Sequence, residues 1–145
     1  MIVDGSAQFT GSDGAKASKE IQEAAKNQKA TLELSIDGGS GADKLKIKIS
    51  DLPAGRENAS VFLAIAEDNL ATNVRRGENS GKTLEHVSVV RELKSIGNLG
   101  APDKSFEAEI VFQLQPNWKK ENLKFVVFVQ GNQNRKIYGV NRIAL

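Results

Sequence analysis

The 145-residue sequence has no cysteine, which excludes a disulfide framework, thiolate-bound zinc and thiol catalysis by these residues. It has a single histidine, His86, too few for a metal site built on imidazoles. No window approaches the roughly 18 apolar residues of a membrane-spanning helix. The opening residues, Met1-Ile2-Val3-Asp4-Gly5, carry none of the charged and apolar regions of a secretory signal. Charge of one sign is scarce as well: 20 Lys and Arg against 18 Asp and Glu leave +2, which does not supply the field of an electrostatic nucleic-acid binder. Aromatic residues are few, and the one tryptophan, Trp118, sits beside Pro116, Lys119 and Lys120. It reads as a plug at a strand end, since one ring among lysines makes no stacking platform. What remains is 39% hydrophobic and 26% charged, too apolar for a disordered tail and, at 15.7 kDa, sufficient for one core.

Residues 1 to 10 read as a short hairpin, Ile2-Val3 turning at Asp4-Gly5-Ser6 into Ala7-Gln8-Phe9-Thr10. Ser12 or Asp13 caps a helix through Ala15 to Lys26, whose apolar stripe is Ala17, Ile21, Ala24 and Ala25. Only Ile21 is large, so this helix needs a partner to be stable. From Lys29 onward the hydrophobic period is 2. Leu32, Leu34 and Ile36 alternate with polar residues, as do Leu45, Ile47 and Ile49, and the Asp37 to Asp43 stretch between them is a Gly-rich hairpin turn. The spacing of Asp37 and Asp43 lacks the dense carboxylates of a calcium loop. Val61 to Ala66 and Leu123 to Val129 are apolar on both faces and read as central strands; Phe106 to Leu114 alternates cleanly. Gly131 to Arg135 turns into a last strand, Lys136 to Ile143. The fold class is therefore mainly β: an antiparallel two-sheet β-sandwich over 29–145, preceded by a short β-hairpin and one α-helix over 1–28.

The segment Val74 to Leu93 holds the candidate functional residues. Gly77-Glu78-Asn79-Ser80-Gly81-Lys82-Thr83 is one residue short of the phosphate-cradling loop of nucleotide hydrolases and has no parallel sheet around it, so it reads as a Gly-rich hairpin or loop. Leu84, Val87, Val90 and Leu93 fall three apart as on a helix, but the β-branched Val87, Val89 and Val90 favour a strand. On a single strand Glu85 and His86 point to opposite faces, and His86 shares its face with Leu84, Ser88 and Val90; they form no catalytic pair. The segment is expected to be an architectural clasp with partner contacts at its exposed edge. In it, Glu78, Asn79, Thr83 and His86 satisfy the loop's backbone groups, and Arg75, Arg76 and Arg91 reach carboxylates such as Glu78 and Glu92. Arg75, Arg76, Glu78, Asn79, Lys82, His86 and Arg91 are thus the candidate structural or partner-contact residues, with no catalytic, cofactor or metal-binding residue assigned.

The stretch Val74 to His86, followed by Val89-Val90-Arg91-Glu92-Leu93, resembles the signature of a bacterial secreted-protein family of unknown function. Members of that family begin with a thioredoxin-like half and end in a β-rich half. Ile2-Val3-Asp4-Gly5, then Phe9, Gly11-Ser12-Asp13 and the Ala-rich helix, are similar to the end of the thioredoxin-like half; Val129-Gln130 and Gly139-Val140 match the family's C-terminal end. The resemblance implies that residues 1–28 are the remnant of a truncated thioredoxin-like unit, that a paired-cysteine motif lies upstream of Met1, and that the parent protein is secreted or periplasmic.

Three functional readings follow. The first is a non-catalytic accessory or binding domain with an unknown protein or small-molecule partner and its thioredoxin-like half in cis. The second is the partner-positioning domain of a thiol-disulfide oxidoreductase. The third is a structural or adhesive surface module, which an exposed apolar patch on one sheet would favour. None involves nucleic acid, a cofactor or a membrane span.

Overall fold

A computed structural model describes residues 1–38 and 43–145. Its elements are β1 (Ile2–Val3), β2 (Ala7–Gln8), α1 (Gly14–Ala25), β3 (Thr31–Asp37), β4 (Lys44–Ser50), β5 (Ala59–Glu67), β6 (Leu70–Asn73), β7 (Thr83–His86), β8 (Val89–Leu99), β9 (Phe106–Val111), a 3-10 turn at Lys120–Asn122, β10 (Leu123–Gly131) and β11 (Ile137–Ala144). Among the described residues the chain is mainly β, with antiparallel sheets, one α-helix and a hairpin at the start.

Two sheets carry the core. One has four strands in the order β11-β10-β5-β8, the other three in the order β3-β4-β9. The period-2 pattern of β4 buries Leu45, Ile47 and Ile49, while β5 and β10 turn Val61, Leu63, Ile65, Phe125, Val127 and Val129 into the same cluster. Phe112 meets Phe125 edge to face at 4.6 Å between ring centres, and Trp118 packs against the cluster as a strand-end plug. At one corner β3 is stitched to β11: the Ala30 N–H donates to the Tyr138 carbonyl (2.7 Å), and Asn141 Nδ2 donates to the Leu32 carbonyl (2.7 Å). The β3–β4 pairing confirms a hairpin; the centre of its Gly-rich turn, residues 39–42, lies outside the described residues.

The two outer faces differ in chemistry. On the three-stranded sheet, Lys44, Lys46 and Lys48 form a central column facing Glu33 and Asp37 on one side and Glu107 and Glu109 on the other. Lys46 pairs with Asp37 (2.9 Å) and Lys44 with Glu109 (3.3 Å), so this face is a solvated charge ladder. On the four-stranded sheet, register places Val140, Phe128, Phe62 and Ser95 in one outer row, then Arg142, Val126, Ala64 and Leu93, then Ala144, Lys124, Ala66 and Val90. Phe62 and Phe128 stack at 5.2 Å. Here the outer face is largely apolar.

The segment expected as one strand from Thr83 to Leu93 is two. A turn at Val87-Ser88, with Ser88 in the left-handed region (φ 55°), separates β7 from β8, and the two strands enter different sheets. His86 therefore does not share a strand face with Ser88 and Val90. The sequence pattern missed this turn because neither residue is Gly, Asn or Asp.

Asp13 caps α1 by accepting the Lys16 N–H (2.9 Å), yet the helix has no buried residue and Ile21 is 54% exposed. The N-terminal hairpin is tied to the sandwich by the Ile137 N–H to the Asp4 carbonyl (3.0 Å) and by Lys29, whose ammonium bonds both Asp4 and the Ile137 carbonyl. With so little apolar burial, residues 1 to 28 are expected to open well below the global unfolding energy. Amide exchange should be fast there and slow in β5 and β10; equal protection in both regions would contradict this.

Candidate functional site

The strand pair β6–β7 forms a two-stranded sheet of its own, inserted between β5 and β8. Its register sets Leu70 opposite His86 and Asn73 opposite Thr83, so the Gly-x-x-x-Gly-Lys-Thr stretch is a hairpin loop, without the parallel strand and helix of a phosphate loop. The loop closes on main-chain bonds: the Val74 N–H donates to the Lys82 carbonyl (2.9 Å), Gly81 N–H to Val74 (2.8 Å) and Ser80 N–H to Gly77 (2.9 Å). Gly77 and Gly81 adopt φ of 89° and 83°, a region open to glycine and strained for other residues.

The expected division of labour within this loop is corrected. Ser80 Oγ donates to the Arg75 carbonyl (3.1 Å), a role assigned from sequence to Glu78, Asn79, Thr83 and His86. Asn79 Oδ1 instead accepts from Lys82 Nζ (3.4 Å), Thr83 Oγ1 donates to Asn73 Oδ1 (2.8 Å), and His86 Nε2 shares a 2.9 Å hydrogen bond with Thr72 Oγ1. These three bonds brace side chains along the hairpin, and of the loop side chains it is Ser80 that bonds the backbone. Arg75, Arg76, Glu78 and Lys82 are exposed at the loop. Arg91 lies apart from them at the hairpin's base, and its partner is Glu67, while Glu92 pairs with Lys94 (3.1 Å).

That base is built from two residues the sequence reading passed over. Glu67 ends β5, whose run from Val61 to Ala66 is apolar, and Asp68 follows it. Glu67 is fully buried; its Oε2 accepts Arg91 Nε at 2.7 Å and its Oε1 accepts the Lys119 N–H at 3.2 Å. Arg91 reaches inward because it is the extra residue of a bulge: Ile65 faces Glu92, Ala66 faces Val90, and Arg91 has no partner on β5. Asp68 accepts the Ser88 N–H (2.8 Å) and hydroxyl (3.1 Å), fixing the turn into β8, and Lys124 Nζ at 2.7 and 2.9 Å, tying that turn to β10. The available signal was two carboxylates directly after six apolar residues, where burial demands cationic partners.

Burial pushes the Glu67 carboxyl up, but the Arg91 hydrogen bond, the Lys119 N–H and the two positive charges outweigh it, so its pKa lies below the ordinary 4.5. Asp68 is held below 3.8, chiefly by the Lys124 hydrogen bond and then by the Ser88 N–H. Exposed Asp37 is also lowered, by its bond to Lys46. The same bulge makes Val90 and Leu93, three apart in sequence, share the outer face. Leu93 is 58% exposed, Val90 55%, and Val87 in the adjoining turn 82%. Among the described residues no group of three or more His, Asp or Glu is placed to hold a metal ion.

Two outcomes are expected. Asp68→Ala should free the Ser88 turn without unfolding the sandwich, seen as faster exchange of the Ser88 amide and faster tryptic cleavage after Arg75 and Arg76; unchanged cleavage would show that Asp68 does not anchor the hairpin. Because the folded pKa values of Glu67 and Asp68 are depressed, their contribution is full above the ordinary 4.5 and 3.8 and is lost as pH falls through the folded values. Urea midpoints should be flat from about pH 7 to 5 and decline in acid, with a smaller decline in Asp68→Asn and little change in Asp37→Asn, whose pair is exposed. An acid decline identical in Asp68→Asn and the parent would remove Asp68 from this account.

Among solved structures, the chain is similar to a crystal structure of beta-glucosidase from Kluyveromyces marxianus in complex with glucose, at 11% identity and a TM-score of 0.30. The likeness covers 80% of this chain and spans 14% of the length of that one, too distant to bear on function. No curated protein matches. A family model described as a protein of unknown function (DUF1223) matches residues 1–130, which takes in the N-terminal hairpin and helix, the Glu67-Asp68 base, the β6–β7 hairpin and most of the sandwich. The chain belongs to the DUF1223 family, and the segment singled out from its sequence lies within the family match.

Proposed function

We propose that this chain is a non-catalytic accessory domain that docks a protein partner on the outer face of its four-stranded sheet. The observation that carries this reading is the contrast between the sandwich's two outer faces. One is a ladder of lysines and carboxylates that includes the Lys46–Asp37 and Lys44–Glu109 pairs; the other presents Phe62, Phe128, Val126, Val90, Leu93 and Val140, the last three exposed. Contiguous apolar surface of this kind marks interaction sites.

The partner is the thioredoxin-like half of a secreted or periplasmic bacterial parent protein, acting in cis. This part of the reading rests on the sequence resemblance and is supported by the exposure of Met1, Ile2 and Ile21 on the N-terminal unit. A second reading, an adhesive surface module, is favoured by the same apolar face. One experiment separates them: the chain is titrated with the separately produced thioredoxin-like half, in parent form and as Leu93→Glu. Docking in cis predicts saturable binding that falls at least about tenfold in Leu93→Glu, with the urea midpoint unchanged, because Leu93 is already exposed. Concentration-dependent self-association abolished by Leu93→Glu, with no binding of the other half, would establish the adhesive reading. Binding insensitive to Leu93→Glu would remove this face from either account.

A further inference from the structure

The lateral edges of the two core sheets are finished in different ways. Strands β3 and β11 are tied to each other at one corner by the Ala30–Tyr138 and Asn141–Leu32 bonds, and β8 is interrupted by its two register shifts. Strand β9 has neither device. It pairs with β4 in unbroken register, from Phe106 opposite Ile49 to Val111 opposite Lys44, and among the described residues no strand pairs with its other side. In the same register the Phe112 N–H donates to the Asp43 carbonyl (3.2 Å), which fixes the parity of the ladder. Phe106, Ala108 and Ile110 therefore turn their backbone groups toward β4, while Glu107, Glu109 and Val111 turn theirs outward. Those outward N–H and C=O groups have no protein partner among the described residues. A regular edge left open in this way is a template for one more strand.

The side chains of β9 define which strand fits. On its inner face Phe106 and Ile110 pack against the core yet stay half-buried, so apolar residues of an added strand extend that burial. On the outer face the columns alternate in sign: Glu33 and Asp37 on β3, Lys44, Lys46 and Lys48 on β4, Glu107 and Glu109 on β9. The next column, about 4.8 Å farther out, borders carboxylates alone. Glu107 is exposed and makes no ion pair among the described residues. Basic residues at alternate positions continue the series, whereas a second copy pairing β9 with β9 sets carboxylate against carboxylate. We infer that β9 takes up an extended segment of a partner protein, in which basic residues alternate with apolar ones, as a fourth strand of this sheet. Strand β4 itself has that alternation, Lys44-Leu45-Lys46-Ile47-Lys48-Ile49, and lies between two acidic neighbours. The edge belongs to the other sheet from the docking face proposed above and does not depend on it.

Amide shifts and amide exchange of the folded chain, followed by NMR at constant ionic strength, test this. The probes are three end-capped hexapeptides: Lys and Val alternating, Glu and Val alternating, and three Lys followed by three Val. The alternating Lys-Val peptide should saturate with a Kd of about 1 mM or tighter, since a short added strand makes few contacts. It should bind at least about fivefold more tightly than either of the others. At saturation it should slow exchange of the Glu107, Glu109 and Val111 amides at least about threefold, and leave those of Ala108 and Ile110, already bonded to β4, unchanged. Glu107→Lys should weaken this peptide at least about threefold with little change in the urea midpoint. If that variant fails to fold, the exchange pattern of the parent decides. No saturation by the alternating Lys-Val peptide, equal binding of either other peptide, protection without the odd-numbered pattern, or an unchanged Kd in Glu107→Lys would each overturn the inference. Shifts confined to Leu93 and Val140 would also overturn it, because they place the peptide on the outer face of the four-stranded sheet.

Discussion

The buried bond between Glu67 and Arg91 sets the geometry of everything on the β8 side of the molecule. A carboxylate with no solvent exposure must be met by a cation, and the cation comes from the bulged residue of the edge strand. Asp68, the next residue, points the other way and fixes the Ser88 turn and Lys124. Two adjacent acids thus fasten the edge strand on one side of the sheet and the entry to it on the other. The β6–β7 hairpin leaves the sandwich immediately after these anchors and re-enters at the residue they hold, so its position is inherited from them.

This arrangement also explains the surface. An edge strand with exposed leucine and valine is an aggregation hazard, and bulges are one of the ways proteins blunt such edges. Strand β8 carries two irregularities, between the partners of Val61 and Phe62 and between those of Ile65 and Ala66. They break the regular ladder a foreign strand would need, and side-chain docking on the face remains open. The apolar face and the irregular edge are therefore compatible: recognition by side chains is allowed and extension of the sheet is discouraged.

Much of the fold was legible because alternation is a direct record of which face is dry. The alternating β3, β4 and β9 follow from it; the hairpin at Ile2–Gln8 was marked by its turn residues, the helix cap by Ser12 or Asp13, of which Asp13 serves, and β5 and β10 by being apolar on both faces. Less legible were features that depend on a residue adopting an uncommon conformation or on a partner far along the chain. The Ser88 turn has φ 55° without a glycine, because Asp68, twenty residues earlier, holds it. Arg91 looked as if it would find a neighbour such as Glu92; the bulge turned it inward to Glu67 instead. The three-residue spacing of Leu84, Val87, Val90 and Leu93, suggestive of a helix, is the trace left in sequence by a turn and a bulge.

Strand β5 is apolar on both faces, with Val61, Leu63 and Ile65 toward the core and Phe62, Ala64 and Ala66 outward. Hydrophobicity alone therefore distinguishes poorly between this strand and the same strand slipped by one residue, since either set of side chains is content in a dry environment. The carboxylate at its end breaks the tie. A one-residue slip of β8 against β5 would carry Arg91 away from Glu67 and strand a charge at the edge of the core. Electrostatics here selects among pairings that packing would nearly tolerate, and the same pair that anchors the hairpin acts as a check on alignment while the sheet assembles.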